Sequence, residues 1–234
     1  MNELLWVSSI PLAYLLYRGT KVTYNDVIAY YRNKELDNLS NEKFTEKVKI
    51  IGVGGGGSAI VEYLSNKYPN RYDSIILNSD KKALTSKNVT NKIHLEKSDD
   101  FGCGSNTLCG YNLINDSVIE KLKSFINTDK KVFIFATLGG GCGTGSVKAL
   151  SQYLPMKDLD IQYLLTTPFT WEGLKRTNRA NETIEFLKNN NAKTTIFSND
   201  ELLKFGNMSI KDCFNKQDED FNKIIGLITN AKNI

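Results

Sequence analysis

Histidine is nearly absent from this 234-residue chain, which has His94 alone, and its four cysteines, Cys103, Cys109, Cys142 and Cys213, include no Cys-x-x-Cys pair. Zinc-site spacing is therefore missing. Four scattered thiols suit a reducing, cytoplasmic compartment, and each reads as a small, half-apolar filler. No block of like charges occurs; the net charge of +4 is spread over interleaved lysines and acids, which argues against a nucleic-acid partner. The apolar run Leu4 to Tyr17 is too short to span a bilayer, is interrupted by Pro11 and meets Arg18 and Lys21. It has no positively charged stretch ahead of it and no small-residue cleavage site, so a secretory signal is disfavoured. It is read as a docking segment, with membrane contact as the alternative.

What is present is enough for a real core. With 41% hydrophobic residues, the chain reads as one domain with an appendage. Residues 1–47 form the appendage: the apolar run, a helix starting at a capping-box-like Thr23 and Asp26, and a polar linker from Asn38 to Lys47. Residues 48–234 form the main domain. There, strand-like runs (Val48–Val53, Ser74–Asn78, Val89–Leu95, 132–137, Ile161–Thr166, Thr194–Phe197) alternate with helical ones (Ala59–Lys67, Tyr111–Ile126, 147–154, Gly173–Asn189, Ser209–Ala231). This alternation predicts a three-layer, Rossmann-like α/β fold, with a parallel sheet of about six strands, helices on both faces and a long final helix.

Two glycine runs stand at strand-to-helix junctions. The first is Gly54-Gly55-Gly56-Gly57-Ser58; the second is Gly139-Gly140-Gly141-Cys142-Gly143-Thr144-Gly145-Ser146. A flexible linker would have polar flanks, and both runs lie between a strand and an amphipathic helix. A Walker loop needs a lysine next to its closing glycine, and Lys148 is out of place. The remaining reason for so little side chain is close approach of backbone N–H groups to phosphate. Two such loops on adjacent strands would suit a di- or triphosphate. Gly52-x-Gly54-x-x-Gly57, with Asp80 downstream, also fits a dinucleotide fingerprint, so an NAD-dependent Rossmann enzyme is an alternative.

These stretches, together with Asn78-Ser79-Asp80, Thr167-Pro168-Phe169, Glu172-Gly173, Arg176 and Asn199-Asp200-Glu201-Leu202-Leu203, occur in the order and spacing of FtsZ, the bacterial cell-division GTPase of the tubulin superfamily. The chain resembles that family over residues 48–231. The resemblance implies GTP/GDP as ligand, with Mg²⁺ carried through the phosphates rather than by a protein metal site. Gly54 to Gly57 would hold the α- and β-phosphates, with Asp80 near the phosphates and their Mg²⁺. The stretch from Phe101 to Gly110, with Gly102, Gly104, Asn106 and Gly110 matching, looks like the family's γ-phosphate sensor. Gly139, Gly140, Gly141, Cys142, Gly143, Thr144 and Gly145 would wrap the β/γ end, with Thr144 donating a hydroxyl. Glu172 looks like the ribose contact and Arg176 the cation near the phosphates.

Guanine would lie on Phe214 and be read by Asn199 and Asp218. The family usually has Asn-Asp where Asp218-Glu219 stands; a carboxylate still accepts from guanine N1–H and its 2-amino group. The alternative is that Asp218 is a solvated helix acid. Cys142 replaces a common threonine, at a cost of about 1 kcal/mol for one hydroxyl donor.

The family's central helix leads into a loop whose acid activates water on the neighbouring subunit's nucleotide, and then into a second domain. Neither is in this sequence, so the expectation is GTP or GDP binding with weak or no hydrolysis alone, and no catalytic residue is assigned. The expected partners are FtsZ-like or identical subunits in head-to-tail contact, or a protein supplying the second domain. The setting would be a filament or a cell-division-type assembly. An active GTPase whose acid comes from a partner is the alternative.

Overall fold

The structure is a computed structural model and describes residues 22–23, 47–97, 101–127 and 131–230. The apolar run Leu4 to Tyr17, the linker and nearly all of the helix predicted from Thr23 lie outside the described residues. Thr23 itself belongs to a short strand, β1 (Val22–Thr23).

The main domain begins with β2 (Val48–Val53), α1 (Gly54–Lys67) and β3 (Tyr72–Asn78). A five-residue helix, α2 (Lys81–Thr85), follows and leads to β4 (Asn91–His94). The single helix expected over 111–126 is two, α3 (Thr107–Asn112) and α4 (Asp116–Ile126). The break has a local cause: the Asn115 side chain accepts the Val118 N–H and so starts a new helix. Then come β5 (Lys131–Thr137), α5 (Cys142–Tyr153), β6 (Asp160–Thr167), α6 (Leu174–Asn189) and β7 (Lys193–Ser198). The 21-residue α7 (Ile210–Asn230) closes the described chain.

The strands form one wholly parallel sheet in the order β1-β7-β6-β5-β2-β3-β4. Six of these strands are the expected ones. The seventh, β1, comes from the appendage and extends the β7 edge, with Val22 opposite Thr195 and Thr23 opposite Ile196.

Both faces of the sheet are buried, so its strands are apolar at successive positions rather than at alternate ones. Ile51, Val53, Ile134, Ala136 and Leu165 face a core closed by α4, α5 and α6. Ile50, Ile76, Phe133, Phe135 and Leu164 face the other way, onto α1 and α7. Phe221 of α7 anchors that second layer, with its ring 4.4 Å from Phe197 and 5.3 Å from Phe135. Burying aromatic area of this kind contributes about 1.5–3 kcal/mol per side chain.

This topology decides where a ligand can sit. The chain winds from β2 toward β3 and β4, then returns to β5 on the other side of β2. The switch point therefore lies between β2 and β5, and the crevice beyond their carboxyl ends is where open sheets of this kind bind ligands. The two segments that follow those strands are the two glycine runs.

Candidate functional site

The first glycine run is not a loop before a helix but the first turn of α1. That turn can lie directly on the neighbouring strand and loop because it has no side chains. A Cβ on Gly57 would fall 2.2 Å from the Phe135 carbonyl oxygen, and one on Gly54 would fall 2.8 Å from the Gly143 nitrogen. Gly54 also has φ +72°, in the left-handed region that favours glycine. Gly55 faces open space, with no neighbouring atom within 4 Å of its would-be side chain.

The second run behaves in the same way, since Cys142 to Gly145 are the first turn of α5. A Cβ on Gly145 would lie 1.9 Å from the Thr107 carbonyl oxygen, and one on Gly141 would lie 2.7 Å from the carbonyl oxygens of Gly104 and Asn106. Thus the run from Gly139 to Gly145 is in backbone contact both with Gly54 and with the stretch from Phe101 to Gly110. Thr144 is fully buried, and its hydroxyl oxygen accepts the Gly139 N–H at 2.9 Å. Its observed part is to shape the turn of the run.

Several expected residues meet in one cavity of about 1090 Å³: Gly56, Glu172, Asn199, Phe214 and Asp218 all line it. Phe214 and Asp218 are four apart on α7 and so share a helix face. Asp218 is 6% exposed, which rules out a solvated helix acid. Its pKa is pushed up to about 8, first by burial and then by the negative charge of Glu219. Asn199, 4% exposed, opens the 3-10 turn Asn199–Phe205, and its side-chain oxygen is buried without a hydrogen-bond partner. A buried orphan acceptor in a cavity that also holds a buried carboxyl is costly unless a ligand satisfies it.

Glu172 lies in the 3-10 turn Thr170–Glu172, where one carboxylate oxygen accepts the Phe169 N–H at 2.9 Å and the other pairs with Arg176. Arg176, half exposed, brings its guanidinium to the second run, 4.0 Å from a would-be Gly140 side chain. Asp80 caps α2, accepting the Ala83 N–H at 2.8 Å, and pairs through its backbone with Phe101. Asn106 caps α3 by accepting the Cys109 N–H at 3.0 Å. Asp80 and Asn106 therefore both serve as helix caps at the rim of the crevice.

Sequence reasoning missed part of the cavity. Trp171 stacks on Phe169 at 5.0 Å, and Phe169 meets Phe214 edge-on at 6.2 Å, which makes an aromatic wall. Tyr63 and Lys67 of α1 also line the cavity. Glu219 ties α1 to α7 there: it accepts from Tyr63 at 2.6 Å, from Tyr68 at 2.5 Å, and pairs with Lys67. Burial, reinforced by this carboxylate, pushes the Tyr68 phenol up to about 12. The i, i+4 spacing of Tyr63 and Lys67 was a visible signal; their acidic partner about 150 residues away was not.

One expectation is overturned. Cys103 and Cys109 are not fillers but a disulfide that closes the tip of the Phe101–Gly110 stretch. Cys142 and Cys213 are free thiols, half-buried and buried respectively. Among the described residues, no cluster of three His, Cys, Asp or Glu side chains could hold a metal ion. No described helix is long and apolar enough to cross a membrane.

A doubly wound α/β domain with its cavity at the switch point is the class that this geometry defines. Residues 47–207 match the family model described as Tubulin/FtsZ family, GTPase domain, and the chain belongs to that family. It is 32% identical over 181 residues to the cell division protein FtsZ of Mycoplasmopsis pulmonis, covering 76% of this chain and 46% of the relative. It is 30% identical to FtsZ of Aquifex aeolicus, covering 78% of this chain and 51% of the relative. Among solved structures, an empty FtsZ dimer from M. jannaschii is similar at TM-score 0.66 and 27% identity, over 84% of this chain and 57% of that one. CetZ2 from Haloferax volcanii, in a GTPγS-bound protofilament, is similar in fold at TM-score 0.69 and 20% identity, over 80% and 59%. The chain spans about half the length of the curated relatives it matches.

Proposed function

We propose that this chain binds GTP and GDP in the switch-point cavity and takes part in an FtsZ-like filament or division-type assembly, with weak or no hydrolysis alone. The observation that carries the reading is the pairing of two ends. At one, two glycine turns lie in backbone contact at adjacent strand ends, where helix N-termini and N–H groups favour phosphate. At the other, the buried Asn199 side-chain oxygen has no hydrogen-bond partner and the buried Asp218 carboxyl lines the same cavity, where a guanine edge would supply donors.

In this reading, Gly54 to Gly57 take the α- and β-phosphates, and the run from Gly139 to Gly145 takes the β/γ end with Arg176 beside it. Glu172 faces the ribose. Phe214 supports the base, and Asp218 accepts from N1–H and the 2-amino group. Mg²⁺ bound to the phosphates would spread their charge, and Asp80 would be the nearby carboxylate. The acid that orients water comes from a neighbouring subunit, in a head-to-tail contact with FtsZ-like or identical partners, or from a protein that supplies the second domain. The compartment that suits such an assembly is the cytoplasm.

Separate titrations with mant-GTP, mant-ATP and NADH test the ligand. Preference for mant-GTP is expected; tight NADH binding with none to mant-GTP sinks the proposal. Phosphate release with and without a full-length relative tests turnover, and robust release by the chain alone contradicts weak hydrolysis.

A further inference from the structure

The Cys103–Cys109 disulfide lies where a covalent bond has leverage. It joins the half-buried Cys109, in the first turn of α3, to the buried Cys103 across the stretch that touches the second glycine run. Within that closed span, Gly104 adopts φ +52° and turns its carbonyl oxygen onto the Gly141 N–H at 2.7 Å. The same stretch is pinned at its base, where the Cys103 N–H donates to Ser79 Oγ at 3.1 Å and the Asn106 N–H to the Cys103 carbonyl at 2.9 Å. One amide of the proposed phosphate grip therefore already donates to a carbonyl that lies inside the span closed by the disulfide.

We propose that this pair is a thiol–disulfide switch on nucleotide binding: oxidised, the loop caps the Gly141 amide against phosphate, and reduced, it releases it. The inference rests on the proposed nucleotide site, in which Gly141 belongs to the β/γ grip. In the cytoplasmic setting proposed above, a disulfide is expected to be transient or redox-sensing rather than a permanent staple. The exchange is balanced. A thiolate of a dithiol reductant attacks Cys109 Sγ, and Cys103 leaves as thiolate. The second reductant thiol then resolves the mixed disulfide and frees Cys109; the reductant ends as a disulfide, and Cys103 and Cys109 each take one proton. Buried Cys103 is the better-shielded sulfur, so attack falls on Cys109.

The experiment compares the oxidised chain with the same chain in dithiothreitol. Two readouts are taken, hydrogen exchange at the Gly141 amide without nucleotide and affinity for mant-GTP and mant-GDP. Reduction is expected to speed Gly141 exchange about tenfold. It should tighten mant-GTP about fivefold, the ratio that one ordinary hydrogen bond is worth, and change mant-GDP less than about twofold. The double variant C103S/C109S should match the reduced chain and ignore dithiothreitol. Equal Gly141 exchange in both states overturns the switch, as does a dithiothreitol effect that survives in the double variant. Faster exchange with unchanged mant-GTP affinity overturns its coupling to phosphate. Faster exchange with no nucleotide binding in either state keeps the loop switch and overturns the proposed nucleotide site instead.

Discussion

Gly54 and Gly143 lie so close that a single methyl group on Gly54 would come within 2.8 Å of the Gly143 nitrogen. The two glycine turns are thus one object, built from the ends of β2 and β5, and neither can change without the other. Gly54→Ala should destabilise the fold by about 1–3 kcal/mol, through the clash and the positive φ. Gly55→Ala is the contrast: with open space around it and a helical position, it should fold at least as stably as the parent, by about 0.5 kcal/mol. It should nonetheless lose GTP affinity, because the added methyl enters the space that phosphate would take. Urea unfolding and mant-GTP titration of the two variants check both halves; normal affinity in Gly55→Ala would remove that turn from the site.

Asp218 should make nucleotide binding depend on pH. Its pKa rises from an ordinary 3.8 to about 8, so the folded chain keeps a proton that the unfolded chain has already released. Stability without nucleotide should therefore fall as pH rises from about 4 to about 8, with a slope of at most about 1.4 kcal/mol per pH unit. Guanine needs the ionised carboxylate as acceptor, so mant-GTP affinity should rise over the upper part of the same window. Asp218→Asn should abolish the rise. A flat mant-GTP profile from pH 6 to about 8 would show that Asp218 does not read the base.

Glu219 should act on the same profile from outside. Its negative charge is the second cause of the Asp218 shift, so Glu219→Gln should move the pH midpoint of mant-GTP binding downward. The variant also weakens the acceptor that Tyr63, Tyr68 and Lys67 share between α1 and α7. Because Lys67 is half exposed, the stability cost should stay at about 1–2 kcal/mol. Thermal unfolding and the pH titration together separate the two effects.

Phe214 should contribute to affinity without choosing the base. It is 36% exposed on the cavity wall beside Phe169 and Trp171. Phe214→Ala should weaken mant-GTP and mant-GDP alike by about tenfold, the scale of one aromatic contact, and leave the preference over mant-ATP unchanged. A loss confined to one nucleotide would assign the residue a different role.

Much of this was legible along the chain. The strands of the main domain and the position of both glycine runs follow from local pattern, because a buried parallel strand is a short apolar run and a glycine cluster at its end has few other uses. Phe214 and Asp218 came from the family resemblance alone, and the last helix places them four residues apart on the cavity wall. The internal contact of Thr144 was not. A hydroxyl beside glycines expected to meet phosphate reads as a donor to ligand, and only the closed turn shows its oxygen accepting the Gly139 N–H.

By itself, then, the sequence determined the alternating α/β order, the two glycine turns at strand ends and the family, since each is written in short-range spacing. The tertiary structure alone decided three things. It added Val22–Thr23 to the sheet edge, joined Glu219 to a tyrosine pair about 150 residues away, and closed Cys103 onto Cys109 so that Gly104 reaches Gly141. Each depends on which distant segments are brought within hydrogen-bond or covalent reach. That is a property of how the sheet winds and twists, and no local pattern of residues encodes it.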